Sequence, residues 1–188
     1  MTKRRFSKQD WVQLGLAELS AKGAEAVKLE AICTAAGLTR GSFYHHFADH
    51  EAFLIALADT WFQTQTVDVA TAIDPAADAV DQGAALTSAA MAIDYRLELG
   101  IREVARRLPA VNAIVQHTDQ FRLDVITDLY RKRYGLDAAT ARSFAYLEYA
   151  AFSGIILLDP DMEPERQKML AALYEASMDK VLGAGARP

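Results

Sequence analysis

Apolar residues recur every three or four positions along almost the whole chain, and nowhere do they alternate with polar ones for long enough to make a strand. The pattern predicts an all-α fold of about nine helices. The first starts near Lys8, with Ser7 as N-cap and Asp10 as its capping partner. Trp11, Leu14 and Glu18 share one stripe of it, Val12, Leu16 and Leu19 lie beside that stripe, and Gly23 stops the helix. A short helix follows over Lys28 to Ala35, ended by Gly37. Thr39 then caps another that runs to about Phe47. Asp49 caps a long helix through Ile73, roughly 36 Å at 1.5 Å per residue, stopped at Asp74-Pro75. Further helices are predicted at about 76–91, 94–107, 110–134, 138–157 and 163–183, with Pro109, Gly135 and Asp159-Pro160 marking three of the boundaries.

The spacing within residues 28–47 suits a helix-turn-helix. Two short helices that cross closely need a small residue where they touch, and Cys33 supplies it. The turn needs a residue that tolerates positive φ, and Gly37 follows four positions later. Ile32, Ala36, Leu38 and Phe43 give the second helix an apolar underside, and Phe47 closes the unit. An ordinary helical hairpin can share such a turn, but it leaves Arg40, Tyr44 and His45 clustered on one face without a reason. In a helix-turn-helix the N-terminal turn of the second helix meets the major groove. There Arg40 can pair bidentately with guanine, Ser42 can reach a base edge, and Gly41 allows close approach of the backbone. Thr39, Tyr44 and His45 are placed to hold the helix on phosphate, with Lys28 at the start of the preceding helix.

The run from Ile32 through Cys33, Ala36-Gly37-Leu38-Thr39-Arg40-Gly41-Ser42-Phe43-Tyr44 to Phe47 resembles the DNA-binding signature of TetR-family repressors. Gly15-Leu16 and Gly23 before it, and Glu51-Ala52 with Leu54 after it, match the same pattern in register. More loosely, Leu97 to Arg107, Pro109-Ala110-Val111, Asp119 with Arg122-Leu123, and Tyr149-Ala150-Ala151 before Gly154 are similar to recurrent segments of one branch of that family. The resemblance implies a DNA-binding domain over 1–48 and a helical ligand-binding and dimerisation domain over 49–188. It also implies a homodimer built mainly from the last two helices, a palindromic operator in double-stranded DNA, and release when a small molecule enters the body. At one position the chain departs from the family: His50 stands where a phosphate-contacting Lys is usual, and it carries full charge only below its pKa.

A net charge of −5 over 188 residues argues against a DNA binder until its distribution is read. Residues 1–50 hold seven basic and five acidic residues, net +2, which leaves thirteen basic and twenty acidic beyond them, net −7. Lys3, Arg4, Arg5 and Lys8 form a basic arm that can neutralise phosphate or enter the minor groove. No apolar stretch follows that arm, so a secretory signal is not expected, and no run approaches the ~20 residues of a membrane span. The single cysteine, Cys33, fits a cytoplasmic protein.

The remaining chemistry adds little. His45, His46 and His50 are separated by a helix break and have no thiolate near them but Cys33, so no metal site is expected. No phosphate loop, nucleophile elbow or zinc motif is present, so neither a catalytic role nor a cofactor is expected. Aromatic side chains are frequent in the body. An inter-helix pocket for the effector is expected to draw on Trp61, Phe62, Met91, Tyr95, Phe121 and Tyr149, although each also suits a helix-bundle core. Phe144 to Leu158 is apolar nearly all round, with Ala145, Ala150, Ala151 and Gly154 as small residues. It is expected at a dimer interface with 163–183, so that about 138–183 joins two copies. The alternative is an all-helical interaction protein that keeps this fold without binding DNA.

Overall fold

The computed structural model describes residues 6–183, and among these it holds nine helices and no strand. They are α1 (Lys8–Lys22), α2 (Leu29–Ala36), α3 (Arg40–Tyr44), α4 (His50–Phe62, continued to Thr71), α5 (Ala79–Met91), α6 (Tyr95–Ala105), α7 (Pro109–Tyr134), α8 (Ala138–Leu158) and α9 (Pro164–Gly183). The chain divides into two compact units, 6–66 with 94–118 and 67–93 with 119–183. The expected division at residue 48 falls inside the first of them.

Local chemistry sets most of the ends. Ser7 and Asp10 form a reciprocal capping box on α1: Asp10 N–H donates to Ser7 Oγ at 3.2 Å, and Ser7 N–H donates to Asp10 Oδ2 at 2.8 Å. Asp49, Asp78, Asp94 and Asp137 cap α4, α5, α6 and α8 in the same sense, each accepting from a backbone N–H of the first turn. Gly37 ends α2 in the left-handed region at φ 64°, where a side chain would be strained. Its N–H and that of Leu38 return to the Cys33 and Thr34 carbonyls.

The first unit is built around aromatic rings. Trp11, Phe43, Phe53 and Trp61 are fully buried, and the Phe43 ring meets Trp11, Phe47 and Phe53 at centroid distances of 5.1–5.4 Å. The inward face of α1 is Trp11, Val12, Gly15 and Leu19, whereas Glu18, expected on the Trp11 stripe, pairs with Lys22 at 2.7 Å. Gly15 is the crossing point of α1 and α4. A Cβ there would lie 2.7 Å from both Leu57 Cδ2 and Phe53 Cζ. Helix α6 joins this unit despite its distance in sequence. The buried Glu98 carboxylate accepts from the Trp61 indole N–H at 3.2 Å and from Arg102 Nε at 2.8 Å, and Ser20 Oγ donates to Asp94 at 2.6 Å.

The fourth helix corrects an expectation. It was expected as one regular helix from Asp49 to Ile73, but α-helical geometry holds only over His50–Phe62. A π segment follows at Gln63–Val67, and a last α turn at Asp68–Thr71. Thr60, Thr64 and Thr71 each turn their hydroxyls back onto a carbonyl four residues earlier, which loosens a helix locally. The widened turn buries Thr66 and brings the Gln65 side-chain oxygen to the Asp94 N–H at 3.1 Å.

The second unit has a thinner core of Leu123, Ile126, Tyr130, Ala141, Ala145 and Tyr149. No residue of α9 is buried. Its described ties to α7 are largely polar. Arg133 grips Glu175 and both Asp179 oxygens at 2.8 Å, and Tyr134 donates to Asp179 at 2.6 Å. Tyr146, Leu147, Leu157 and Leu158 of α8, with Met169 and Leu173 of α9, stay exposed. Among the described residues, no helix is long and apolar enough to cross a membrane.

Candidate nucleic-acid interface

Helices α2 and α3, joined at Gly37, stand over Phe43, whose ring pins α3 to the core from below. Every residue of α3 but Phe43 is wholly or partly in solvent. Thr39 caps the helix by accepting the Ser42 N–H at 3.2 Å, which leaves its hydroxyl proton able to donate. Thr39, Arg40, Gly41, Tyr44 and His45 are exposed and Ser42 is half-buried, so six of the eight residues expected to face DNA lie in or beside this short helix and reach solvent. Tyr44 holds its ring edge-on to Phe43 while remaining half exposed, and His45 stacks edge-on to His46 at 5.1 Å.

Gly41 has room around it at this surface. A Cβ there would meet only Thr39 Oγ1, at 3.7 Å, an ordinary contact. Packing inside the domain therefore gives no reason for a glycine, in contrast to Gly15.

The cations of the surface are engaged inside the protein. The Arg40 guanidinium is ion-paired with Glu30 of α2, and Lys28 with Glu25. Glu25 also takes Arg107 at 3.3 Å, and its carboxyl is held below its ordinary value chiefly by the hydrogen bond from Lys28. Lys8 lies over the Phe47 ring at 5.4 Å from the centroid. The rest of the expected arm, Lys3, Arg4 and Arg5, lies outside the described residues. Position 50 is also committed: His50 Nε2 sits 2.7 Å from the Val27 carbonyl and ties the first turn of α4 to the segment before α2. Sequence spacing could not show this bond, which spans 23 residues.

Cys33 is buried between α2 and α3, and burial pushes its thiol up, as expected of an inert core cysteine. No group of three or more potential metal ligands occurs among the described residues. Of the six residues expected to line an effector pocket, Trp61, Phe62 and Tyr95 belong to the first unit and Met91, Phe121 and Tyr149 to the second. Trp61 and Phe62 pack in the first core. Tyr149 packs in the second, with its hydroxyl donating to Asp119 at 2.6 Å and facing Arg122 at 3.3 Å.

Residues 13–57 match the family described as bacterial regulatory proteins, tetR family. The described fold is similar to solved structures of transcriptional regulators. A transcriptional regulator from Rhodococcus sp. Rha1 superposes with a TM-score of 0.80 at 15% identity, over 93% of this chain and 96% of that one. The regulatory protein TetR from Rhodobacter sphaeroides gives 0.71 at 21% identity, over 95% and 98%. A TetR transcriptional regulator from Legionella pneumophila gives 0.70 at 17%, over 85% and 89%. This is a TetR-type fold. No curated protein matches the chain in sequence. In TetR-type terms, residues 13–57 run from α1 to the middle of α4, so the matched segment contains the helix-turn-helix and the Gly15 crossing that supports it.

Proposed function

We propose that this chain is a dimeric, sequence-specific DNA-binding transcriptional regulator, a repressor that leaves a palindromic operator when a small molecule binds its body. One observation carries the reading. Within a domain that matches the tetR family over 13–57, the first turn of α3 presents Arg40, Gly41 and Ser42 to solvent on a rigid aromatic base. Arg40 and Ser42 read base edges and Gly41 admits a thymine methyl, while Thr39, Tyr44, His45 and Lys28 hold phosphate. With the His50 ring bonded to Val27, the affinity a Lys there would supply falls to the arm of Lys3, Arg4, Arg5 and Lys8. In this reading residues 1–48 contact DNA and 49–188 bind ligand and dimerise, in the cytoplasm.

The dimer reading is supported by the exposed apolar faces of α8 and α9. Leu147, Leu157 and Leu158 on one helix and Met169 and Leu173 on the other are each at least 60% exposed in a single chain, within the 138–183 region proposed to join two copies. A pair of recognition helices in such a dimer would read half-sites one DNA turn apart, roughly 34–36 Å. The effector site is proposed to draw on Trp61, Phe62, Met91, Tyr95, Phe121 and Tyr149. A ligand that weakens DNA binding equally in the wild type and in alanine variants at these positions would place it elsewhere.

The deciding test is selection of bound sites from a random-sequence duplex library, followed by binding across a salt series. A regulator enriches a symmetric site, and its affinity falls steeply with salt. Arg40→Ala relaxes the preference at one base pair, whereas Tyr44→Phe weakens binding to all sequences alike. Failure to enrich any site, with a flat salt response, would instead favour a helical interaction protein.

A further inference from the structure

The Arg40 side chain, the principal base-reading group of the proposed function, has its described ion pair with one residue, Glu30. The two lie ten positions apart on different helices. Arg40 opens α3, and Glu30 sits in the first turn of α2. The Glu30 carbonyl accepts the Thr34 hydroxyl at 2.8 Å. Together with Cys33, Thr34, Gly37 and Leu38, the pair lines a surface cleft of about 460 Å³ where α2 and α3 meet. Glu30 and Arg40 are 79% and 58% exposed, so the pair adds little to folding. A guanidinium has five donors in a rigid plane, so a carboxylate on one edge fixes the direction of the others without exhausting them.

We infer that Glu30 is a specificity-determining positioning residue, which holds the Arg40 guanidinium in the orientation that reads a guanine and keeps its charge from settling on phosphate. The inference rests on the DNA-reading function proposed above. Its physical basis is twofold. A pre-oriented arginine loses less conformational freedom when it meets a base. A carboxylate beside it also opposes phosphate, so DNA at which Arg40 finds no guanine is bound less well.

The test compares the wild type with Glu30→Gln, Glu30→Asp, Arg40→Ala and the double variant Glu30→Gln/Arg40→Ala. The probes are duplexes carrying the site the wild type selects, the same site with the Arg40-dependent base pair changed, and random-sequence duplex. Glu30→Gln is expected to cut discrimination at that one base pair by about tenfold, to tighten binding to random duplex several-fold, and to steepen the slope of log affinity against log salt by about one. Glu30→Asp, which keeps the charge, recovers part of the discrimination. In the Arg40→Ala background, Glu30→Gln has no effect on discrimination. Circular dichroism and the thermal midpoint stay as in the wild type. Unchanged discrimination in Glu30→Gln, or an equal loss at every base pair of the site, overturns the inference while leaving DNA reading intact. A wild type that selects no site defeats the DNA-reading function itself, and the inference with it.

Discussion

The two units solve the same packing problem to different degrees. The first closes on itself: Trp11, Phe43, Phe53 and Trp61 are fully buried, and among its described residues the one large exposed apolar side chain is Tyr44, on the surface proposed to meet DNA. The second keeps a smaller core and leaves large apolar side chains along α8 and α9 in solvent. Its last helix is held by Arg133 and the tyrosines Tyr130 and Tyr134. Apolar surface of that extent is stable in water when something covers it, and the least demanding cover is a second copy presenting the same two helices. The contrast teaches that one chain can pair a unit that buries nearly all its large apolar side chains with one that leaves a row of them in water.

Four outcomes would break or sharpen that contrast, the largest first. Phe43→Ala removes the ring on which the first core converges and is expected to cost about 3–5 kcal/mol in urea unfolding, with loss of DNA binding. A cost under about 1 kcal/mol would show that this core is not the cooperative centre of the unit. Leu157→Glu with Leu173→Glu should leave the helical content unchanged but weaken self-association by about a hundredfold or more, since two leucines per chain lose their cover. Sedimentation showing an intact dimer would move the interface elsewhere on the molecule.

Gly41→Ala is expected to raise stability by roughly 0.5–1 kcal/mol, because alanine favours helix and the site has room for a methyl. The same change should weaken binding to the selected site at least several-fold. An alanine variant that binds as tightly as the wild type would remove Gly41 from the interface.

The smallest effect concerns pH in the second unit. Burial pushes the Glu148 carboxyl above its ordinary value near 4.5, with Glu175 adding to the shift, while Tyr130 as hydrogen-bond donor and Arg133 oppose it. The folded state therefore holds this proton more tightly than the unfolded one. The stabilisation is present in acid and is lost as pH rises from the unfolded value through the folded one. Glu148→Gln should flatten the stability–pH curve just above pH 4.5, and an identical curve would show that the carboxyl carries no such linkage.

How much was legible depends on the range of each interaction. Ser7 with Asp10, Thr39, Asp49, Gly37 and Gly135 punctuate helices through contacts a few residues long, and all act where the sequence places them. The aromatic underside at Phe43 and Phe47 was legible as well, because helical periodicity alone turns those positions inward. The π segment was hidden. Composition shows threonines at 60, 64, 66 and 71, but the widened turn depends on burying Thr66 and on the Asp94 N–H, which is 29 residues from its partner Gln65.

Sequence by itself determined the helical class, the capped helix starts, and the short segment from Cys33 to Phe47 whose spacing fits a helix-turn-helix, because each follows from backbone geometry within one or two turns. Only the tertiary structure decided that α6 joins the first unit, that His50 is tied to the Val27 carbonyl, and that Arg40 is held by Glu30. Those pairings join residues from 10 to about 80 positions apart, and no local preference selects among the many partners that a chain of this length offers. Close approach does so: α6 can reach Leu19 because residue 100 is a glycine, where a Cβ would fall 2.7 Å from the Leu19 side chain.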